Sequence, residues 1–321
     1  MLRVFVHDES GCREARAVEP AWLRPDSPVR FWVDLAAPTP EEGQILSGVF
    51  AFHELAVEDA LSAIHHPKIE SYGDYLYLIL HGIDFQQTEK GFATHDVDFF
   101  VGPNYLVTVH DGYSRSIEEQ YAVCMRNARA IGEGPDALMH RIVDAMVDHY
   151  RPEIEKLDAR VEELEDCVFE RPDENPIREL IRIKKDLAAL RRVTLPQRDA
   201  VARLARREFA QISEPVTLRM RDVLDHLVRI SDEAGMLHDR VSSLLDAFLS
   251  AQSNRMNQVM KLMTMIATTF MPLTVLTGMF GMNVPLPHMP GDPKWEFWWI
   301  TGLMLVISAG MLYLFRRARW L

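Results

Sequence analysis

The sequence predicts an α+β domain, then a very long helix that enters a membrane, then a second membrane helix that closes the chain. Three observations predict it. The stretches Leu262–Phe280 and Phe297–Phe315 are each 19 residues without a charged side chain. At about 1.5 Å per residue, each crosses a ~30 Å hydrocarbon core. Helical spacing runs from Val216 without a proline until Pro272. Ahead of residue 135, β-branched and aromatic runs alternate with turn residues.

Residues 1–135 form the expected cytoplasmic α/β domain. Strands are expected at Leu2–His7, Val29–Asp34, Tyr75–Ile83, Val97–Val101 and Tyr105–His110, the last two joined as a hairpin through Gly102-Pro103-Asn104. Helices are expected within Pro38–Phe50 and Phe52–Ile64. Thr39 is a candidate N-cap, with Glu42 three residues on completing a capping box. The domain holds neither a Gly-rich phosphate loop nor a nucleophile elbow.

Residues 136–215 are expected to be a cytoplasmic helical hairpin. Apolar residues from Leu138 to Val168 recur at helical spacing, with Pro152 placed to kink that helix or begin a new one. Its outer face is acidic, from Glu153 to Asp166, and reads either as a solvated face or as a cation-attracting one. A turn at Arg171–Pro176 leads to a basic helix, Ile177–Glu208.

Residues 216–283 form the stalk helix, with the first membrane span at about 259–281. Read every 3.5 residues, the stalk shows Asp246, Ser250, Ser253, Asn257, Met260, Thr264, Ala267, Met271, Thr274 and Gly278. This stripe is polar, small or thioether, flanked by Leu, Ile, Val and Phe. It is a small-residue packing seam or a pore lining. Either needs partner copies, because one stripe encloses nothing. A loop at 284–295, a second membrane helix at 296–316 and a basic tail at 317–321 complete the chain. Trp295, Trp298 and Trp299 begin the second span and Trp320 follows it, as an aromatic belt does. Arg255 and Lys261 precede the first span and Arg316, Arg317 and Arg319 follow the second. Of Arg and Lys the loop between holds only Lys294, so both termini are expected in the cytoplasm.

Composition fits this reading. The 321 residues are 48% hydrophobic, and 47 acidic against 35 basic side chains give a net charge of −12. That argues against a nucleic-acid partner and suits a protein that handles cations. Cys12, Cys124 and Cys167 are odd in number and widely spaced, which points to a reducing compartment. The N-terminus is too short and too charged for a signal peptide.

Gly281-Met282-Asn283 at the outer end of the first span, Met271-Pro272-Leu273-Thr274 before it, and the short loop and second span after it carry a family resemblance. The chain resembles the CorA family of divalent-cation channels, most densely over Asp222–Leu321. The resemblance implies a funnel-shaped homopentamer in the cell's inner membrane. It implies that Gly281, Met282 and Asn283 form the entrance filter, and that Asn257, Met260, Thr264, Met271, Thr274 and Gly278 face the pore. At Met263 the family commonly has Leu, also apolar, so a hydrophobic gate is implied there. Arg221–His226 is similar to a regulatory segment of the family, which implies an inhibitory cation between Asp222 and Asp59 of a neighbouring subunit. Glu58 and His226 are weaker candidates for a second cation. The family's loop often reads Met-Pro-Glu; here it is Met289-Pro290-Gly291, so Asp292 or Glu296 would replace the missing acid in attracting cations.

The function expected is passage of hydrated magnesium, with cobalt or nickel as surrogates, down the membrane potential. No cofactor is expected beyond the transported and regulatory ions, and no catalytic constellation supports an enzyme. Met282 favours this branch over ZntB-type zinc transport, which remains the alternative on the same scaffold. A membrane-anchored cation sensor with a closed seam is a third reading.

Overall fold

The computed structural model describes residues 1–9, 11–24, 27–62, 66–83, 94–126, 129–170, 176–282 and 295–320. It divides into two compact units, Met1–Leu245 and Asp246–Leu321.

The first unit is built on a seven-stranded sheet: β1 (Leu2–Asp8), β2 (Gly11–Ala15), β3 (Arg30–Ala36), β4 (Lys68–Ser71), β5 (Leu76–Ile83), β6 (Thr94–Val101) and β7 (Tyr105–His110). Its order is β2-β1-β3-β7-β6-β5-β4. Only β3 and β7 are parallel. The five expected strands are present, and the hairpin of β6 and β7 forms as expected. The two strands that the sequence did not suggest, β2 and β4, are the edges. Both are short and polar, as an exposed edge requires.

Alternation along the strands divides the sheet into two buried faces. Phe31, Val33 and Leu35 of β3 join Tyr77, Phe100 and Val107 in one core. Helices α1 (Pro40–Gly48) and α2 (Glu54–Leu61) contribute Leu46, Ala56 and Ala60 to it. Helix α1 starts at the expected capping box. Thr39 Oγ1 accepts from the Glu42 amide at 3.2 Å, and Thr39 N–H donates to Glu42 Oε2 at 3.0 Å. Such a cap contributes about 1 kcal/mol. Trp32, Asp34 and Thr108 lie on the other face as a buried polar chain. Trp32 Nε1 donates to Thr108 Oγ1 at 3.0 Å, and Thr108 Oγ1 donates to Asp34 Oδ1 at 2.6 Å. A buried carboxylate needs such donors to offset its lost hydration.

Helices α3 (Arg115–Arg126), α4 (Arg129–Gly132) and α5 (Pro135–Asp148) follow, then α6 (Tyr150–Glu170) and α7 (Ile177–Ala205). Of the two outcomes expected at Pro152, a kink or a new helix, the second is found: Pro152 sits in the first turn of α6, where its missing N–H costs nothing. β5 outruns its edge partner β4, which pairs only as far as Ile79. Gln197 of α7 takes over there, its Oε1 accepting from the His81 amide at 2.9 Å, while Tyr150 donates its hydroxyl to the His81 carbonyl at 2.8 Å. The acidic and basic helices are tied by Arg160, which donates to Glu179 at 2.6 and 2.7 Å.

Helix α8 is continuous from Glu214 to Phe280, 67 residues. Val216, Met220, Val223, Leu227, Ile230, Ala234, Leu237, Val241 and Leu244 form a buried stripe with steps of four and three. After Phe248 no residue of α8 is fully buried. Helix α9 (Glu296–Arg317) is the second helix long and apolar enough to cross a membrane.

Candidate functional site

In the second unit, α8 carries two faces of different character. Met265, Thr268, Thr269, Pro272, Leu273 and Leu276 are half-buried and fall on one side of the helix. Ile300, Thr301, Met304, Ile307, Ser308, Met311 and Phe315 do the same on α9, as two helices packed side by side require. The stripe read from the sequence lies on the remaining surface of α8. Each of its residues, from Asp246 to Gly278, is exposed in the single chain; Met271 is 70% exposed. Met263, just off the stripe, is exposed as well.

The stripe's hydroxyls have a defined polarity. Thr264 Oγ1 donates to the Met260 carbonyl at 2.8 Å, and Thr274 Oγ1 donates to the Met271 carbonyl at 2.9 Å. Each hydroxyl has one proton, and the backbone takes it. The lone pairs that remain face outward as acceptors, which suits the water protons of a hydrated cation. Pro272 has no N–H to give the Thr268 carbonyl, and this bond is missing from the helix ladder. The ladder otherwise runs to the end of the span, where the Gly281 amide donates to the Thr277 carbonyl at 2.9 Å. A Cβ at Gly281 would stand 3.0 Å from that carbonyl oxygen, so the close turn after Phe280 favours glycine. Met282 follows, exposed. Asn283 and Asp292 lie outside the described residues. Glu296 is the first residue of α9, half-buried.

A second candidate lies in the first unit. Asp144 and Asp148, one turn apart on α5, and His226 on α8 each offer a ligand atom, and the three atoms lie within 4.8 Å of one another. His226 Nδ1 is 3.8 Å from Asp148 Oδ1. Burial raises the pKa of Asp144, opposed by neighbouring His140, and the charges of Asp148 and Asp222 raise it further. Asp222 therefore belongs to this electrostatic neighbourhood. Two carboxylates and an imidazole form a donor set for a divalent ion, and the imidazole suits cobalt, nickel or zinc better than magnesium. Asp59 stands in other company. Its Oδ2 accepts from Lys68 Nζ at 2.5 Å, and Lys68 also reaches Glu70 at 3.2 Å. Glu58, next to it on α2, is exposed.

Comparison with known proteins decides the family. The sequence profile of the CorA-like Mg2+ transporter proteins matches residues 30–317. The chain belongs to the CorA family. It is a divalent-cation transporter and not an enzyme. It is 30% identical over 305 residues to the cobalt/magnesium transport protein CorA of Thermotoga maritima, covering 92% of this chain and 85% of that one. It is also 26% identical over 311 residues to the zinc transport protein ZntB of Yersinia pseudotuberculosis, covering 96% of this chain and 90% of that one. The complete structure of the CorA magnesium transporter from Methanocaldococcus jannaschii superposes with a TM-score of 0.83 at 21% identity, covering 100% of this chain and 99% of that one. The CorA fold is thus present, with an N-terminal α/β domain, a long helix and a second apolar helix.

Within this CorA chain the sequence reading missed Asp144 and Asp148. A signal was available: Asp144 interrupts the otherwise apolar run Ile142–Val147 and Asp148 ends it, a spacing of four that places them on one face of α5.

Proposed function

We propose that this CorA-family transporter is a homopentameric channel of the inner membrane that conducts hydrated magnesium into the cytoplasm, with cobalt and nickel as surrogates. The observation that carries the reading is the uncovered stripe on α8. A helix within a bilayer has no reason to expose Asn257, Thr264, Thr274 and Gly278 to lipid while its opposite face packs. Copies of the chain gathered around the stripe would enclose it.

In this arrangement Gly281, Met282 and Asn283 form the entrance. Asn283 offers neutral amide oxygens, and neutral ligands hold the water shell of magnesium without trapping the ion. Thr274 and Asn257 offer further acceptors, while Met260, Met263 and Met271 form apolar constrictions that gate by excluding water. Asp292 or Glu296 concentrates cations at the outer mouth. A divalent ion gains about 4.6 kcal/mol per 100 mV, so the membrane potential suffices as the drive. Both termini are cytoplasmic. Asp59 and Asp222 of adjacent subunits hold the inhibitory cation, and Asp144, Asp148 and His226 hold a second one, with Glu58 next to the first site.

Zinc passage on the same scaffold is the second reading, supported by the ZntB relative. Flux into liposomes containing the purified protein tests both. Magnesium influx that zinc does not compete away is expected. Zinc influx untouched by excess magnesium would replace the magnesium reading with the zinc one. A tight bilayer for every ion would leave a sensor rather than a channel.

A further inference from the structure

Three methionines share the uncovered side of α8. At about 100° per residue, Met263 and Met271 fall within about 60° of Met260, while Met265 falls about 140° away. Met260, Met263 and Met271 are 60%, 57% and 70% exposed in the single chain. Met265 is half-buried on the face of α8 that packs, as are Met304 and Met311 on α9. The two helices thus carry thioethers in two settings, three on the open side and three in the packed faces.

Leu would exclude water from a constriction as well as Met does. A thioether adds a reaction, because its sulfur accepts an oxygen atom to become a sulfoxide. In hydrogen peroxide the O–O bond breaks; one oxygen joins the sulfur, which gives up two electrons, and the other leaves as water. Methionine sulfoxide reductase reverses the step with two thiols, which close to a disulfide as the oxygen leaves as water. The neighbouring hydroxyls matter to the product. Thr264 and Thr274 donate to the Met260 and Met271 carbonyls, so neither has a proton left for a sulfoxide oxygen. That oxygen takes its hydrogen bonds from pore water instead.

We propose that Met260, Met263 and Met271 form a reversible oxidation site at which a small peroxide holds the channel open. The thioether is apolar and a weak acceptor, and the sulfoxide is polar and a strong one. A constriction that closes by drying stays wet once it is oxidised. Hydrogen peroxide is neutral and close to water in size, so it reaches the sulfurs by the route of the hydrated ion. A dry, closed constriction shuts that route. The inference rests on the channel reading of the proposed function, and it holds whichever divalent ion passes.

The test uses the full chain in liposomes, treated with limiting hydrogen peroxide at low internal magnesium. Peptide mass spectrometry then locates each added oxygen, and flux is measured at high internal magnesium before and after treatment. Met260, Met263 and Met271 should be oxidised well before Met265, Met304 and Met311. Flux should rise on the order of tenfold, as a hydrogen bond to water at each sulfoxide lowers the barrier to wetting. Methionine sulfoxide reductases for both epimers, supplied with dithiothreitol, should return it to the starting value. In the triple variant Met260→Leu, Met263→Leu, Met271→Leu, flux after peroxide is compared with that variant's own flux before it, and no rise is expected. If the triple variant does not assemble, Met263→Leu decides in its place, with a smaller rise than the wild type. Oxidation of the packed methionines at the same rate would overturn the proposal. So would flux that is unchanged or lowered in protein oxidised at the three sites, or an equal rise in the Leu variant. Each of these results leaves a working channel; a protein that passes no ion before or after peroxide sinks the channel reading itself.

Discussion

Asp98 shows what a single buried acid does to this fold. Its carboxylate, on β6, accepts from the Tyr77 hydroxyl at 2.5 Å. Burial pushes its pKa up to about 7, against the pull of that hydrogen bond. The folded chain thus holds a proton that the unfolded chain releases near the ordinary carboxylate range. Stability from this group is fully present below the unfolded value and is lost as pH rises through about 7. Asp98→Asn should remove this dependence. Protection of the β5 and β6 amides, corrected for the intrinsic rise of exchange with pH, should then be nearly the same on either side of neutrality, where the wild type is less protected on the alkaline side. Equal pH profiles in both proteins would mean that Asp98 is not the responsible group. In the proposed channel Asn283 acts at the same scale. Replacing it by Ala removes the amide oxygen, so magnesium uptake should vanish from an oligomer of unchanged mass. Full uptake in that oligomer would exclude Asn283 from the pathway.

Between elements, the contact of α5 with α8 creates what neither helix holds alone. Asp144 and Asp148 come from one and His226 from the other, within 4.8 Å. Asp148→Asn and His226→Ala should each weaken cobalt binding by about tenfold, near 1.4 kcal/mol. Because burial raises the pKa of Asp144, a bound cation competes with its proton, so affinity should climb as pH rises through that raised carboxylate range. Calorimetric titration measures both, and identical affinities across wild type and variants would dismiss the cluster as a site. This pairing was out of reach of the sequence, since nothing in a linear pattern tells which turn of α8 meets which turn of α5. Patterns within one element were legible: the capping box at Thr39, the hairpin of β6 and β7, the run of α8, the two spans. What failed were elements whose stability comes from neighbours. β4, Lys68–Ser71, has little strand character of its own and is held by β5. The stripe on α8 was legible because its period is the helix's own.

At the scale of the whole molecule, the proposed channel needs orientation and feedback. A cysteine placed at Gly291 should react with an impermeant reagent from outside the cell, and one placed after Leu321 only from inside; an externally labelled tail would reverse the topology. Feedback follows from charge. A channel driven by voltage alone keeps filling the cell, so a cytoplasmic sensor of the transported ion limits it. Two carboxylates brought together across a subunit boundary repel each other, and a divalent cation between them turns repulsion into attraction. It therefore stabilises whichever assembly holds them close, which we propose is the closed one. Asp222 is exposed and available for this. Asp59 is engaged by Lys68 at 2.5 Å, a tethered cation that a magnesium ion must compete with. That competitor sets the threshold of inhibition. Asp59→Ala and Asp222→Ala should each weaken magnesium protection of the cytoplasmic part against proteolysis and let flux persist at higher internal magnesium. The double variant should be little worse than either single one, because one missing carboxylate already opens the bridge. Lys68→Gln should act in the opposite direction and move inhibition to lower magnesium. Titrating internal magnesium in proteoliposomes separates the cases. If the aspartate variants inhibit normally, the sensor lies elsewhere, and the α5–α8 cluster is the next place to cut. If only Lys68→Gln is silent, Asp59 binds the ion without competition, and the threshold is set by the spacing of the subunits instead.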